Sequence, residues 1–366
     1  MKIKSLKLVN FRNYSNLTIN FSDELNVIYG ENGAGKTNLV EAIYLLALTK
    51  SFRINNDKIL IRKGSIKTVV RGEVTKNNDT SSYTVEIKDD GKNVLINDLK
   101  QDKISDYISR INVILFSPTD IRLIEDSPEK RRKMLNIEIS SIYKEYLILL
   151  TDYQKILKQR NFYLRQMYIN GNLKFDFLDI LTKKMVEYGL KIYKYREKFI
   201  NDINNYVSNI YSNIFESDTL KIKYISSYKN KNIDEIFKMY QKNYNKEMQI
   251  GKTLYGIHHD DIEFVIDVGN LKEIGSQGQR KNAIIAFKLA ELNVIRDIKG
   301  YNPILILDDL FSELDKGKVT NIFKLLDSNV QTFITTTEIK NVNKKILRNA
   351  KKFRIENNNF EEDNNE

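Results

Sequence analysis

The segment GENGAGKT, over residues 30–37, constrains this chain of 366 residues more than any other part of its sequence. It follows Leu25–Tyr29, an apolar run typical of a buried strand, and precedes residues 39–48, an apolar run typical of a helix. The pattern Gly-x-x-x-x-Gly-Lys-Thr is that of a phosphate-binding loop, in which glycines let backbone N–H groups curl around phosphate oxygens. A strand, this loop and a helix in that order predict an α/β fold with a nucleotide site.

The loop predicts a role for two of its side chains. Lys36 is expected to reach the β- and γ-phosphates of ATP and to act in catalysis, and the Thr37 hydroxyl is expected to coordinate Mg²⁺. The predicted nucleotide contacts are the loop residues and the residue that follows them: Gly30, Glu31, Asn32, Gly33, Ala34, Gly35, Lys36, Thr37 and Asn38.

A second apolar segment, Ile304–Leu307, ends in two acids, Asp308 and Asp309. In isolation such a pair could be a solubilising turn, but a phosphate-binding loop in the same chain favours a metal and water site. We expect Asp308 to hold Mg²⁺, directly or through water. Asp309 is expected to orient or deprotonate the attacking water.

A turn rich in small residues, GSQGQR over 275–280, precedes a helix predicted at 279–298. Small residues ahead of a helix N-terminus can bind an anion through backbone N–H groups, and the Ser276 hydroxyl adds a donor. We predict that Ser276, Gly278 and Gln279 contact the nucleotide, although a plain capped turn is the simpler interpretation of this segment alone.

The pattern changes after residue 127. Ser127 and Pro128 are typical of a helix start, and apolar residues then recur at three- and four-residue spacing. A second helical stretch over 175–215 follows a break near 170–172, so we expect two long amphipathic helices that form an antiparallel arm. The tyrosines of this arm favour core positions over a base-stacking platform. Mixed strand and helix patterns return after about residue 218.

Positive charge is concentrated in the predicted arm. The chain has a formal net charge of +11, and residues 129–200 hold 16 Lys and Arg against 8 Asp and Glu. A basic segment suits a polyanion such as DNA, because neutralised phosphates release counterions. A solvated helical face explains the same charge equally well. The candidate phosphate contacts are Arg131, Arg132, Lys158 and Arg160, of which the first two could as readily be structural.

Composition excludes several classes of protein. The chain has no cysteine, which excludes disulfides and thiolate metal sites, and no run approaches the roughly 18 apolar residues of a membrane helix. Its first residues alternate charged and apolar side chains like a strand, unlike a signal peptide. We therefore expect a cytoplasmic protein without membrane contact. Residues 356–366, with five acids and no base, are expected to be disordered.

The order of these parts resembles the ABC-type ATPase heads of the SMC/Rad50 class, and within that class the RecF family of bacterial DNA replication and repair proteins. The segments that carry the resemblance are Leu8–Tyr14, Lys50–Arg53, Phe116–Asp120, Pro128–Arg132, Lys158–Asn161, Gly256–Asp261 and Leu307–Asp315. The resemblance implies mixed sheets with flanking helices and an inserted antiparallel helical arm. The expected domains are an ATPase head in two parts, an arm and a tail: 1–126 and 217–355, 127–216, and 356–366.

The resemblance also implies how these parts act. ATP is sandwiched between two heads, so that the Ser276 turn of one subunit caps the γ-phosphate bound at Lys36 of the other, with Glu313 and Asp315 near the same interface. Such a homodimer would clamp double-stranded DNA near single-strand gaps and at single-strand/double-strand junctions. Weak, DNA-stimulated ATP hydrolysis would reset the clamp. RecR and RecO are the implied partners, and assistance in loading RecA is the implied outcome.

Several positions depart from the family pattern. Ile257 and His259 stand where the family usually has Pro and Arg, and Asn136 replaces a common Asp. Thr335–Thr337 occupy the place of a histidine that ABC ATPases generally use near the γ-phosphate. No Gln between residues 111 and 120 suits a Mg²⁺-sensing lid.

His258 and His259 could suggest a metal site. Adjacent residues of a strand point to opposite faces, and the chain has only these two histidines. A structural or nucleotide-adjacent role is therefore favoured over a two-histidine metal site.

Two other classes of function stay open. A catalytic P-loop enzyme, such as a nucleotide kinase or an ABC-linked nuclease, shares the loop. A kinase needs no Ser276 turn, however, and a nuclease needs further carboxylates in an added domain. A Rad50-like tether needs a long coiled coil, whereas the roughly 240 residues between Lys36 and Ser276 allow only a short arm.

Overall fold

The computed structural model describes residues 1–170, 174–215, 219–310, 316–342, 347–356 and 359–363. The chain divides into two compact units. Unit 1 comprises Met1–Ile121, Tyr206–Thr219 and Lys281–Glu366, and unit 2 comprises Arg122–Asn205 and Leu220–Arg280. None of the helices within the described ranges is long and apolar enough to cross a membrane.

The first sheet of unit 1 is antiparallel throughout. Alternating apolar and polar residues predict such strands, because one face of the sheet is buried. Its strands are β1 (Lys2–Phe11), β2 (Tyr14–Asn20), β4 (Lys67–Lys76), β5 (Asp79–Lys88), β6 (Gly91–Ile96) and β7 (Leu99–Lys100). Their spatial order is β2-β1-β4-β5-β6-β7.

The second sheet of unit 1 is parallel except at one edge. Its strands are β3 (Leu25–Tyr29), β8 (Val113–Phe116), β12 (Ile304–Asp308), β13 (Thr332–Thr336), β14 (Ala350–Glu356) and β15 (Asn359–Asp363). Their order is β15-β14-β3-β13-β12-β8, and only the β14–β15 pair is antiparallel. Parallel strands buried on both faces require the continuous apolar runs that the sequence shows. Their carboxyl ends meet at one edge, where open α/β sheets bind ligands.

One helix, α1 (Lys36–Leu48), contacts both sheets of unit 1. It packs against β4 and β5 of the first sheet and against β12 and β13 of the second. Every residue from Leu39 to Leu48 is buried, which explains why this helix is apolar on all sides. Unit 1 also contains α2 (Ile104–Tyr107) and α10 (Lys316–Leu325). The predicted α/β class is therefore confirmed.

Unit 2 combines long helices with a small antiparallel sheet. Its helices are α3 (Pro128–Ile142), α4 (Lys144–Asn170), most of α5 (Phe175–Phe215), α6 (Ile233–Gln241), α7 (Tyr244–Ile250), α8 (Leu271–Ile274) and the first turn of α9 (Gln277–Lys299). The sheet has the order β11-β10-β9, with β9 (Leu220–Ile225), β10 (Asp261–Ile266) and β11 (Gly269–Asn270). The sequence predicts two long helices in this region, but three form because Tyr143 adopts an extended conformation after α3.

Residues 220–280 group with the arm helices, although the sequence places them in the ATPase head. The physical reason is a set of buried ion pairs that join this segment to the helices. Arg131 of α3 binds Asp261, and Arg160 of α4 binds Glu247 of α7. The unit that contains the arm is thus larger than expected, and the functional domain boundaries stay a prediction.

The acidic tail is ordered over Asn359–Asp363, contrary to the disorder expected for 356–366. These residues form β15, which pairs with β14 in antiparallel register. The Phe360 ring lies 4.9 Å from the Phe353 ring, and Lys351 forms an ion pair with Glu362 at 2.9 Å. Backbone pairing, an aromatic contact and a neighbouring cation offset the charge repulsion on which the expectation of disorder rested.

Candidate nucleotide site

The phosphate-binding loop connects β3 to α1, as the sequence predicts, and its first glycine lies against the C-terminal strand. β14 pairs in parallel with β3, with Arg354 opposite Tyr29. Gly30 has a φ of 152°, and a Cβ added there would lie 2.2 Å from the carbonyl oxygen of Ile355. A side chain at this position would therefore collide with backbone, so β14 requires glycine where the loop begins.

Lys36 is folded back into its own loop and is almost completely buried. Its ammonium group donates hydrogen bonds to the carbonyl oxygens of Gly30 at 2.7 Å and Glu31 at 2.8 Å. Burial lowers the pKa of Lys36, while the nearby Asp309 and Asp308 carboxylates act in the opposite direction. The single cation of the loop thus lies within electrostatic reach of the acid pair at the end of β12.

Thr37 and Asp308 lie side by side, although 271 residues separate them in the chain. The Thr37 hydroxyl donates to Asp308 Oδ1 at 3.2 Å, and the Thr335 hydroxyl donates to the same oxygen at 2.6 Å. Burial raises the pKa of Asp308, and the two hydroxyl groups oppose this by stabilising the carboxylate. A hydroxyl and a carboxylate oxygen are ligands that Mg²⁺ prefers, so these two residues fit the metal predicted for them.

Thr335 also fixes the backbone of Asp309. The Asp309 N–H donates to the Thr335 hydroxyl oxygen at 2.9 Å, and Asp309 has a φ of 51°, in the left-handed region. Thr335 pairs with Asp308 in the parallel register of β12 and β13. The sequence points to Thr335–Thr337 only as an irregularity of the family pattern. This threonine thus contacts the Asp308 carboxylate and the Asp309 backbone at once. The pairing of β12 with β13 would have suggested these contacts if the strand order had been known.

A cleft of about 700 Å³ opens beside the first half of the loop. Its lining includes charged side chains of both signs, among them Glu338 and Lys340. The complete lining is Tyr29, Gly30, Glu31, Asn32, Gly33, Ala34, Thr337, Glu338, Ile339, Lys340, Arg354, Ile355 and Glu356.

A buried ion pair supports α1 just behind the loop. Arg12, in the turn after β1, donates from Nε and Nη2 to the carboxylate of Glu41 at 2.9 and 2.8 Å. Glu41 is completely buried in α1, and Ser51 also donates to it. Asn38, a predicted nucleotide contact, accepts a hydrogen bond from Arg53 at 3.0 Å. Arg12, Ser51 and Arg53 lie in two segments that resemble the RecF family, and the sequence alone assigns these three residues no role.

The predicted anion-binding turn starts α9 in unit 2, and it is exposed at Ser276 and Gly278. The Gln279 N–H donates to the Ser276 hydroxyl at 3.2 Å, and the Ser276 N–H donates to the Gln279 side-chain oxygen at 2.9 Å. This reciprocal pair is a capping box, which leaves the helix start well defined. The plain capped turn considered for this sequence is therefore present, and a role in nucleotide binding stays a prediction. Glu313 and Asp315 lie outside the described residues.

Two of the four candidate DNA contacts have buried, paired side chains, so a DNA contact is wrong for Arg160 and the structural alternative holds for Arg131. Arg131 is 3% exposed and binds Asp261, and Arg160 is 0% exposed and binds Glu247. Arg132 is half-buried and donates to the carbonyl oxygen of Asp260 at 2.8 Å. Lys158 alone among the four is exposed.

The two histidines lie in a turn, so the argument from opposite faces of a strand does not apply to them. Their rings are 4.3 Å apart, and each Nε2 lies within hydrogen-bond distance of the Thr253 carbonyl oxygen. The Tyr153 hydroxyl lies 2.7 Å from His258 Nδ1. Burial lowers the pKa of His258 to about 3. This histidine is therefore a neutral, half-buried part of unit 2.

Comparison with known proteins first defines the class. Residues 2–360 match the family model described as RecF/RecN/SMC N terminal domain. A solved Smc head bound to the C-winged helix domain of ScpA is 16% identical, with a TM-score of 0.56 over 99% of this chain and 96% of that chain. At that identity the likeness shows a shared fold. The fold and the loop therefore define a protein of the RecF/RecN/SMC class.

Full-length relatives narrow the class further. The DNA replication and repair protein RecF of Staphylococcus epidermidis is 38% identical over 97% of this chain and 98% of its own length. That of Staphylococcus carnosus is also 38% identical, with the same coverage. A solved structure of the recombination mediator protein RecF with ATP, in the RecFOR pathway, is 30% identical, with a TM-score of 0.91 over 99% of this chain and 97% of that chain. The chain belongs to the RecF family, and it is an ATPase of the ABC type.

Proposed function

We propose that this chain is an ATP-dependent DNA-binding protein of recombinational repair and replication. The observation that carries the proposal is the approach of Thr37 to Asp308, with Thr335 holding Asp308 and Asp309 together. A hydroxyl from the loop and a carboxylate from β12 form an oxygen site beside a buried lysine. The names of the relatives, which describe DNA replication and repair and a complex with ATP, support the same function.

At the nucleotide site, each residue has a distinct task. Lys36 exchanges the carbonyl oxygens of its loop for β- and γ-phosphate oxygens when ATP is bound, and its low exposure strengthens that interaction. Thr37 and Asp308 hold Mg²⁺, which when bound neutralises charge on the phosphates. Asp309, fixed through its backbone by Thr335, orients the attacking water. Hydrolysis is weak and serves as a switch: each hydrolysis event ends one DNA-binding event.

The exposed Ser276 turn completes the site of a second copy of the chain. Its backbone N–H groups and the Ser276 hydroxyl cap the γ-phosphate bound at the Lys36 of the partner, so ATP brings two heads together. ADP lacks that phosphate and therefore cannot support the contact. ATP binding and dimerisation are thus thermodynamically linked: ATP stabilises the dimer, and dimerisation increases the affinity for ATP.

DNA is bound by exposed lysines of the arm helices in place of the buried arginines. Seven lysines on α4 and α5 are exposed: Lys155, Lys158, Lys183, Lys184, Lys191, Lys194 and Lys198. Two copies closed by ATP would present two such surfaces to one duplex near a single-strand gap or junction. DNA stimulates hydrolysis, and hydrolysis releases the DNA. RecR and RecO, which the RecFOR pathway of the relative names, are the proposed protein partners in the cytoplasm, and RecA loading is the outcome.

The test separates nucleotide binding from dimerisation. We expect Lys36→Ala to abolish ATP binding and, with it, any ATP-dependent increase in mass. Ser276→Arg should bind ATP within about twofold of the wild-type affinity and stay monomeric, because a long cation replaces the small donor of the cap. Fluorescent-nucleotide titration and sedimentation velocity measure the two properties. A Ser276→Arg variant that dimerises normally with ATP would overturn the assignment of the turn.

A further inference from the structure

The Ser276 turn, defined as Gly275–Arg280, is anchored within its own unit by the side chain of Arg280. This side chain donates from Nε to the carbonyl oxygen of Leu271 at 2.9 Å and from Nη2 to that of Lys272 at 3.2 Å. Its Nη1 forms an ion pair with the carboxylate of Glu125. The turn is thus tied to α8 on one side and to the segment before α3 on the other.

The segment that carries Glu125, residues 123–126, is held in place by hydrogen bonds from one buried guanidinium group. Arg131 lies in the first turns of α3 and is 3% exposed. Its Nη1 donates to three carbonyl oxygens of the segment, at 3.0, 3.1 and 2.6 Å: those of Leu123, Ile124 and Asp126. Three oxygens around one nitrogen fix the path of this segment, because buried carbonyl groups have no water to replace a lost donor.

The remaining donors of Arg131 reach the strand that leads back to the turn. Nε and Nη2 bind the two carboxylate oxygens of Asp261 at 2.7 and 2.8 Å, a bidentate pair. Asp261 begins β10, which pairs with β11. Asn270 of β11 caps α8, accepting a hydrogen bond from Lys272 at 2.9 Å. Arg131 therefore connects to both anchors of the Ser276 turn, through Glu125 and through β10.

We propose that Arg131 and Glu125 are positioning residues that hold the Ser276 turn for the γ-phosphate of a second subunit. The inference rests on the proposed role of that turn. Arg131 uses its planar fork of donors on a carboxylate and three carbonyl groups at once, and a lysine has neither the geometry nor the number of donors. Movement of α3 therefore moves the turn. The two residues touch no nucleotide and act through Arg280.

Substitution of Glu125 or Arg131 should weaken ATP-dependent dimerisation without weakening nucleotide binding by the single subunit. The predicted nucleotide contacts of the loop are residues 30–38, which all lie in unit 1, so we expect a variant of unit 2 to leave nucleotide binding by a single subunit unchanged. Glu125→Ala removes an ion pair whose acid is half exposed, so dimerisation should weaken by about two- to fivefold. Arg131→Lys disrupts the whole junction, and dimerisation should weaken by more than about tenfold.

The experiment compares four chains at a temperature where all are folded: wild type, Glu125→Ala, Arg131→Lys and Arg160→Lys. The last is the matched control, because Arg160 is a fully buried arginine of unit 2 that pairs with Glu247, Thr182 and Thr253 and contacts neither the turn nor the 123–126 segment. Sedimentation equilibrium with ATP gives the dimer dissociation constant. Titration with a fluorescent ATP analogue gives the nucleotide affinity of the monomer.

We expect Glu125→Ala and Arg131→Lys to weaken the dimer while the nucleotide affinity stays within about twofold and Arg160→Lys dimerises like the wild type. Equal weakening by Arg160→Lys would show a general loss of stability and overturn the inference. Unchanged dimerisation of Glu125→Ala would do the same, even if Arg131→Lys failed to fold. A wild-type chain that does not dimerise with ATP, or a Ser276→Arg variant that does, would instead contradict the proposed function itself.

Discussion

At the scale of single residues, one threonine organises the acidic end of β12. Thr335 donates to the carboxylate of Asp308, the predicted metal ligand, and accepts from the backbone of Asp309, the predicted catalytic acid. Its hydrogen bond also opposes the rise in the pKa of Asp308 that burial causes. Thr335 is one of three threonines, residues 335–337, that stand where ABC ATPases generally have a histidine.

Replacing Thr335 by valine, which has nearly the same shape, should slow ATP hydrolysis by at least about tenfold, since hydrogen bonds to charged groups contribute about 1.5–3 kcal/mol. ATP affinity should change by less than about threefold. Without the donor, the pKa of Asp308 rises further, so the valine variant should recover activity as the pH increases. Thr335→Ser, which keeps the hydroxyl, is the control. Wild-type turnover by the valine variant would contradict this role.

His258 predicts a pH dependence of stability. Its pKa is about 3 in the folded chain against an ordinary value near 6.5, because burial disfavours the charged ring. Between these two values the unfolded chain binds a proton that the folded chain does not, so the free energy of unfolding decreases as the pH falls below 6.5. The loss should reach about 1.4 kcal/mol by pH 5.5.

Urea unfolding at pH 7.5 and 5.5 measures this change. His258→Gln removes the titrating ring, so its free energy of unfolding should depend less on pH over this range, where most carboxylates stay ionised. An identical pH dependence in the two chains would show that His258 does not titrate as its burial requires.

Sequence reasoning at the residue scale succeeds where the chemistry is local. The loop, the acids and the small turn are contiguous patterns, and the structure places Thr37 beside Asp308 as those patterns suggest. It fails for Arg160, whose charge suggests DNA, and it does not decide between a DNA contact and a structural role for Arg131. The partner of Arg131, Asp261, lies 130 residues away in the chain, and that of Arg160, Glu247, lies 87 residues away. A local sequence pattern cannot predict an ion pair between residues so far apart.

At the scale of elements, the C-terminal strand shapes the phosphate-binding loop. β14 pairs with β3 and leaves no room for a side chain at Gly30. The tail, which was expected to be disordered, adds β15 to this edge of the sheet. The loop therefore follows a strand, β3, that is flanked on this side by β14 and β15. The acidic composition of the tail predicts disorder, but the contact between the Phe353 and Phe360 rings stabilises it as a strand.

Gly30→Ala should therefore destabilise unit 1 by about 3 kcal/mol and weaken ATP binding, because its Cβ must displace the backbone of β14. Gly33→Ala is the matched control, since Gly33 also has a positive φ, 84°, but nothing lies within 4 Å of an added Cβ. It should lose only about 1 kcal/mol. Thermal unfolding and nucleotide titration compare the two variants. Equal losses would mean that backbone conformation alone, without the contact to β14, explains the requirement for glycine.

Most elements follow from their hydrophobic periodicity, but their grouping does not. β3, β12 and the helix over 175–215 form where apolar runs or three- and four-residue spacing predict them, whereas β15 forms where disorder was expected. The membership of 220–280 in unit 2 depends on contacts such as Arg131 with Asp261, which join distant parts of the chain. Periodicity reports which face of an element is buried and says nothing about what covers it.

At the scale of the whole molecule, the phosphate-binding loop and the Ser276 turn are the two proposed halves of a shared nucleotide site. The phosphate-binding loop lies in unit 1 and the Ser276 turn lies in unit 2, and the turn is exposed. The lysines available for DNA lie on α4 and α5 of unit 2. We therefore propose that ATP, a second copy of the chain and duplex DNA are linked in one equilibrium.

The central claim is that ATP strengthens DNA binding by closing two copies of the chain. Fluorescence anisotropy with a labelled duplex, combined with sedimentation velocity, tests it directly in ATP, ADP and no nucleotide at one fixed salt concentration. We predict a dimer with ATP alone and an affinity for duplex at least about fivefold higher in ATP than in ADP, as expected for coupled binding. Equal DNA affinity and equal mass in all three states would contradict the account.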